Sequence, residues 1–222
     1  MMKNVIEVDN FEFPYTDLRF PGENQGERIL FVTRESEIIK VIRLLALTGV
    51  TLLILVLGYL IVTTIERFVP QVGVLVMLVI FLSLAVFGIG LWWVLATFKK
   101  SVFIITTRRL TKIIYTTPFT SYQFSLGLDE IEDTGSYGAS FFEALFGLGF
   151  FVARSGAGAI KNFKIVNITY AKDLHNYVNK LLYSFKHFPQ RINEFRPFIP
   201  NLKGEAREAL FQKYPEYKTE FE

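Results

Sequence analysis

The chain contains no cysteine. That excludes disulfides, thiolate nucleophiles and metal sites built on sulfur ligands. Histidine is nearly as scarce, since only His175 and His187 occur and neither has histidine-rich metal spacing around it. Net charge is small as well, +3 from 24 Lys and Arg against 21 Asp and Glu, and no aromatic-basic strand signature stands out. Nucleic acid is therefore not an expected partner. Phosphate-loop patterns are missing too. Gly147-Leu-Gly149 and Gly156-Ala-Gly158 have neither a Gly-Lys-Ser/Thr ending nor the strand, glycine loop and helix spacing of a dinucleotide fingerprint. They read more simply as turns between short strands.

The most informative absence is that of charge along two long stretches. Leu44 to Ile65 and Phe68 to Phe98 carry none, and only Glu66 and Arg67 separate them. A helix of about 20 apolar residues crosses the roughly 30 Å hydrocarbon layer of a bilayer, so the pattern specifies a membrane hairpin. Fourteen positions of the first stretch are Leu, Ile or Val, which favours insertion by roughly 4 to 8 kcal/mol. The expected spans are 41–66 and 70–98. Pro70 suits a first helical turn, and the second stretch is longer than one span needs, so tilt or an extension beyond the lipid is expected.

Flanking charge sets the expected orientation. Arg28, Arg34, Lys40 and Arg43 precede the first span, Lys99, Lys100, Arg108, Arg109 and Lys112 follow the second, and the turn between them holds only Arg67. The positive-inside rule puts both termini in the cytoplasm of a multi-pass inner-membrane protein, with Trp92 and Trp93 anchoring near the inner interface. Glu7, Asp9, Glu12 and Asp17 stand where a signal peptide has its basic start and apolar core, so the N-terminal segment is expected to stay attached and inside. Ile29 to Thr33 reads as a short strand within it.

Beyond Lys100 the pattern changes to short strands: Ser101–Thr106, Leu110–Thr117, Ser121–Leu126, Asp129–Tyr137, Gly149–Ser155 and Lys161–Ile168, by β-branched and aromatic content between glycine-marked turns. Two readings fit Ser140 to Phe146, a short helix capped by Ser140 or a loop dipping its apolar side chains towards lipid. Leu174, Val178, Leu181, Leu182 and Phe185 recur on one helical face after Thr169, a candidate cap. An antiparallel sheet followed by such a helix makes a small β domain closed at its C-terminal end. The expected organisation is an N-terminal cytoplasmic segment 1–40, a transmembrane hairpin 41–98, a cytoplasmic β domain 99–187 and a polar tail 188–222 with one short helix near Glu205 to Lys213.

Several of these residues carry a resemblance. Glu27-Arg-Ile-Leu before the hairpin, Phe103 to Leu110, Leu128 to Asp133 and Leu145 to Val152, with a glycine turn at Gly156 to Gly158, resemble the bacterial pleckstrin-homology-like (PH-like) family of predicted membrane proteins. The family's pattern of threonine, two variable residues, arginine and an apolar residue falls on Thr106, Arg109 and Leu110, and further matching positions on Leu128, Ile131 and Gly149. The resemblance covers about residues 26 to 186. It implies two crossed antiparallel sheets forming a partly open barrel, usually of seven strands, with a C-terminal capping helix. Six strands follow Lys100 in the sequence, so a seventh is expected to be short or hidden near Ser155 to Lys161.

Nothing in the pattern marks a catalytic centre, a cofactor or a metal. Asp129, Glu130, Glu132 and Asp133 bracket the apolar Ile131, so their charges need not converge. The basic cluster Lys99, Lys100, Arg108, Arg109 and Lys112 is the candidate anionic-surface contact, because each cation near an anionic leaflet contributes about 1 kcal/mol over a Debye length of roughly 8 Å. Topology determination and plain solvation account for the same cations. The function expected is a non-enzymatic membrane-anchored binding or scaffold protein, engaging membrane lipids, a membrane-protein partner or a second copy of the chain. The other class is an enzyme or transport accessory acting on lipids or envelope precursors.

Overall fold

The computed structural model describes residues 3–66, 73–138, 145–156, 162–200 and 204–215. The chain divides into two units, Glu37–Phe98 and a globular unit of Met1–Ser36 with Lys99–Glu222. In the first, α1 (Glu37–Glu66) and α2 (Gly73–Lys100) have the length and apolarity to cross a membrane. At 1.5 Å per residue they run about 45 and 42 Å, beyond the hydrocarbon layer. Only 6% of the most apolar window of each is buried. The core helix of a soluble domain is mostly covered, so this exposure points to lipid as the missing solvent. The two helices approach closely where they have no side chain: a Cβ on Gly58 would lie 2.6 Å from Val79 Cγ1, and one on Gly90 2.5 Å from Leu47 Cδ1. Gly49, Gly73 and Gly88 have nothing within 4 Å. Thr48, Thr51, Thr64 and Ser83 return their hydroxyl protons to carbonyls four residues earlier, which satisfies these four donors in lipid.

The globular unit holds two open antiparallel sheets and a short parallel pair, β1 (Lys3–Asn4) with β2 (Leu18–Arg19). The larger sheet runs β3 (Ile29–Thr33), β4 (Val102–Thr106), β5 (Arg109–Tyr115) and β6 (Ser121–Gly127) in that spatial order. The smaller runs β7 (Ile131–Tyr137), β8 (Gly149–Ser155) and β9 (Phe163–Ile168). On β8 the period-2 signal is plain, with Phe151 and Ala153 fully buried and Arg154 exposed between Ala153 and the buried Ser155. A Cβ on Gly149 would meet the Tyr137 carbonyl at 2.9 Å, so only glycine allows β7 and β8 to close there.

The seventh strand comes from an unexpected place. It is β3, ahead of the membrane helices, and it pairs antiparallel with β4 through Thr33 and Phe103, Val32 and Ile104. The strand expected near Ser155 to Lys161 falls largely on residues 157–161, which lie outside the described ones. Local patterning carries no signal for pairing across the 68 intervening residues 34–101.

α3 (Ala171–His187) buries Leu174, Val178, Leu181 and Leu182 against the sheets, as its 3.6-residue periodicity predicts. Its N-cap is Tyr170, with no side-chain cap bond, not the expected Thr169. Tyr170 is held instead by its hydroxyl contact with Thr33 Oγ1 and by edge packing on Phe31. The segment after His187 reads as polar yet buries Ile192, Phe195, Phe198 and Phe211. Phe198 N–H donates to Leu30 O, blunting the edge of β3, and the Tyr177 hydroxyl donates to Arg196 O. α4 (Glu205–Lys213) forms where a short helix is expected. Of the Ser140 to Phe146 interval, residues 140–144 lie outside the described ones.

Candidate functional site

Strand direction sorts the five candidate cations. β4 starts at Val102, immediately after α2 and Ser101, and ends at Thr106. β3 ends at Thr33, four residues before α1 begins at Glu37. Both helix connections therefore leave the sheet at one end, where the β5–β6 turn also lies, since Tyr115 pairs with Ser121. The β4–β5 turn with Arg108 and Arg109 is at the other end. β4 has five residues, so its ends are about 13 Å apart. The sequence cluster is thus three separate places: Lys99 and Lys100 at the helix-connected end, Lys112 in the middle of β5, and Arg108 with Arg109 at the far end.

At the far end Arg109 is an internal strut. Its Nε and Nη2 each donate to a Glu27 carboxylate oxygen at 3.0 Å, a bidentate pair, and Nη2 also donates to Gly22 O. Thr106 Oγ1 lies 2.6 Å from Glu27 Oε1 and accepts from Arg109 N–H at 3.0 Å. The Glu27 side chain has no exposed surface, while that of Arg109 retains 20%. Burial alone pushes the Glu27 carboxyl up, but the bonds from Arg109, Thr106 and Asn24 N–H outweigh it and hold the group below the usual carboxylate range. The threonine and arginine of the sequence motif are thereby explained as the clamp on a buried acid. Arg108 beside it is exposed.

Lys112 lies over the Phe124 ring at 5.2 Å and the Phe163 ring at 5.9 Å, and burial lowers its pKa. At the helix-connected end Lys99 pairs with Asp9 at 2.7 Å, lowering the Asp9 pKa. Lys100 Nζ donates to Pro118 O at 3.0 Å and sits over the Tyr115 ring at 5.3 Å. Arg34 donates to Asp9 O and Val8 O, both at 2.6 Å, so the N-terminal segment is strapped across the same end. The β5–β6 turn projects Phe119 there, 81% exposed. Sequence reasoning missed Phe119, and it named Glu27 only at the head of the Glu27-Arg-Ile-Leu motif, without its role as the partner of Arg109. An aromatic directly after Pro118 in an otherwise threonine turn was the available signal for the first; for the second, the motif gave the residue but no sign of its partner.

The other polar groups singled out in the sequence take separate places among the described residues. His175 is half-buried, 3.1 Å from Thr134 Oγ1 and 3.1 Å from Asn179 Nδ2, a more engaged position than a solvated histidine has. His187 stacks on Tyr183. Asp133 is paired with Arg154 at 2.8 Å. Among the described residues no group of three or more His, Asp and Glu could hold a metal ion. A cleft of about 240 Å³ borders Tyr15, Arg19, Glu23, Glu27 and Arg28 at the far end. No family model matches the chain, and neither does any curated protein or solved structure.

Proposed function

We propose that the protein is a non-enzymatic, membrane-anchored binding or scaffold module of PH-like type, which holds its β domain at the cytoplasmic face of the inner membrane to engage a protein partner or the anionic surface. The observation that carries this reading is the pairing of β3 with β4. Those neighbouring strands connect to the membrane helices through residues 34–36 and Ser101 alone. Short links of that kind hold a domain near the bilayer and raise its effective concentration for anything else confined there. Restraint at a surface suits recognition. A buried ion pair and an N-terminal strap stiffen the domain in keeping with that role.

Reversible crosslinking in intact membranes followed by mass spectrometry tests the proposal, alongside incubation of the purified protein with membrane extracts. An enriched partner, or saturable association with anionic lipid without turnover, is the expected result. Turnover that depends on a defined polar residue overturns it, as does a persistent monomer that binds neither protein nor lipid. The cysteine-free chain also allows orientation to be read directly. Single cysteines introduced at positions 3 and 68 should be labelled from the cytoplasm and from outside, respectively.

A further inference from the structure

The turn between β5 and β6 combines three features that do not usually occur together. Its most exposed residue is aromatic, Phe119, 81% exposed. Its backbone donors are satisfied within the turn. Thr116 N–H and Thr117 N–H donate to Thr120 O at 3.2 and 3.4 Å. Phe119 N–H and Thr120 N–H donate to Thr117 Oγ1 at 3.2 and 2.9 Å, and Pro118 has no donor to satisfy. The hydroxyls of Thr116 and Thr117 both meet Thr120 Oγ1, at 3.3 and 2.6 Å. Finally, the turn is bonded to Lys100 through Pro118 O, and Lys100 is the last residue of α2.

A surface turn facing water has no need to consume its own donors, because water satisfies them. A turn whose tip reaches from the interfacial layer to the edge of the hydrocarbon gains from it, since water grows scarce in that direction. An aromatic ring at the tip and a lysine ammonium just behind it match the preferences of that layer, apolar towards the acyl chains and cationic towards the phosphates. The position follows from covalent connectivity: the residue holding the turn is where the second apolar helix ends.

We propose that the Thr116–Thr120 turn is an additional membrane anchor, inserting Phe119 into the interfacial layer of the same bilayer that the helices cross, with Lys100 as its headgroup contact. This deepens the membrane-anchored reading and rests on it. The anchor fixes the rotation of the domain about its helix connections. Two covalent crossings leave that rotation free, and a third point set to one side removes it.

Full-length F119C, R108C and L53C proteins, each otherwise without cysteine, are labelled with a polarity-sensitive fluorophore and reconstituted in vesicles of phosphatidylcholine with one quarter phosphatidylglycerol. Quenching is read from lipid-attached nitroxides and from a water-soluble quencher. The label at 119 should be quenched by lipid nitroxides near the headgroups and shielded from the aqueous quencher, with no change between low and high salt. The label at 108 should behave in the opposite way. Aqueous exposure at 119 overturns the proposal, as does shielding from both quenchers, which means that protein covers the turn. Equal lipid contact at 108 also overturns it, because adsorption of the whole domain requires no turn. The label at 53 separates the two readings: lipid contact there with water at 119 removes only the anchor, whereas water at 53 removes the membrane-anchored reading itself.

Discussion

The two ends of the four-stranded sheet use the same kinds of residue for opposite purposes. At the far end Arg109 is sequestered by Glu27, and Thr106 completes the clamp, so charge is turned inward to hold the start of β3 against the β4–β5 turn. At the helix-connected end Lys99 pairs with the exposed Asp9, Lys100 meets a carbonyl and the face of Tyr115, and the Phe119 ring is 81% exposed. A basic residue beside a membrane span is therefore not evidence of lipid contact by itself. What decides its role is whether an acid on another segment is buried within its reach.

The hardest way to break the comparison is to remove the strand that both ends share. Deleting residues 3–36 strips Ile29, Leu30, Phe31 and Val32 from the core. At about 1.5 to 3 kcal/mol each that is roughly 6 to 12 kcal/mol, as much as a whole domain's stability of about 5 to 15 kcal/mol. Near-ultraviolet circular dichroism of the deleted protein should show no fixed tertiary packing. The converse change should be tolerated. Replacing residues 37–98 with a short glycine-rich turn keeps β3 and β4 as an ordinary hairpin and should yield a folded, water-soluble domain. Failure of that domain to fold would mean that the helices contribute to its core.

A smaller effect separates the far end from its opposite. Glu27→Ala leaves the Arg109 guanidinium without its buried partner and should cost about 3 to 5 kcal/mol in thermal or denaturant unfolding. Because the Glu27 carboxyl lies below its ordinary value in the folded protein, the pair's contribution is fully present above the unfolded carboxylate value of about 4.3. It is lost as pH falls through the lower folded value. Melts taken down the acid range should show this loss in the native chain and a flatter curve in E27Q. An unchanged acid limb in E27Q would show that other carboxylates govern it.

The smallest and most specific effect tests the surface. In the soluble hairpin-replaced domain, K99Q with K100Q should weaken binding to anionic liposomes by roughly 2 kcal/mol, about 30-fold, at low salt, and less as salt rises. R108Q, at the far end, should leave both that affinity and the stability within about 0.5 kcal/mol. If R108Q has the larger effect on affinity, the far end is the membrane-facing one and the contrast inverts.

Elements that depend on local pattern are legible in the amino-acid sequence alone. The strand from Gly149 to Ser155 and the apolar face of α3 lie where β-branched and aromatic content or 3.6-residue spacing places them, and a short helix forms at Glu205–Lys213 as expected of the tail. Caps and tails are less legible. Thr169 has the chemistry of a cap, but Tyr170 takes the position because its ring and hydroxyl are fixed by Phe31 and Thr33, neither of which is local. Phe195 and Phe198 are lost among the charges of the last segment, and only the packing of Tyr177 and Phe31 on them marks them as core. The surface cluster is a cluster only in sequence, since reversal of the chain between β4 and β5 carries Arg108 and Arg109 away from Lys99 and Lys100.

By itself the sequence determined that two helices are long and apolar enough to cross a membrane, because about 20 uncharged residues match the hydrocarbon layer, and that a β domain follows them. Only the tertiary structure decided that this domain begins before the helices, that Arg109 belongs to Glu27, and that Phe119 stands at the end where the helices leave. Apolar length and period are local properties written residue by residue. Partners across 68 residues, and the burial that turns a surface charge into a strut, exist only once the chain has closed on itself.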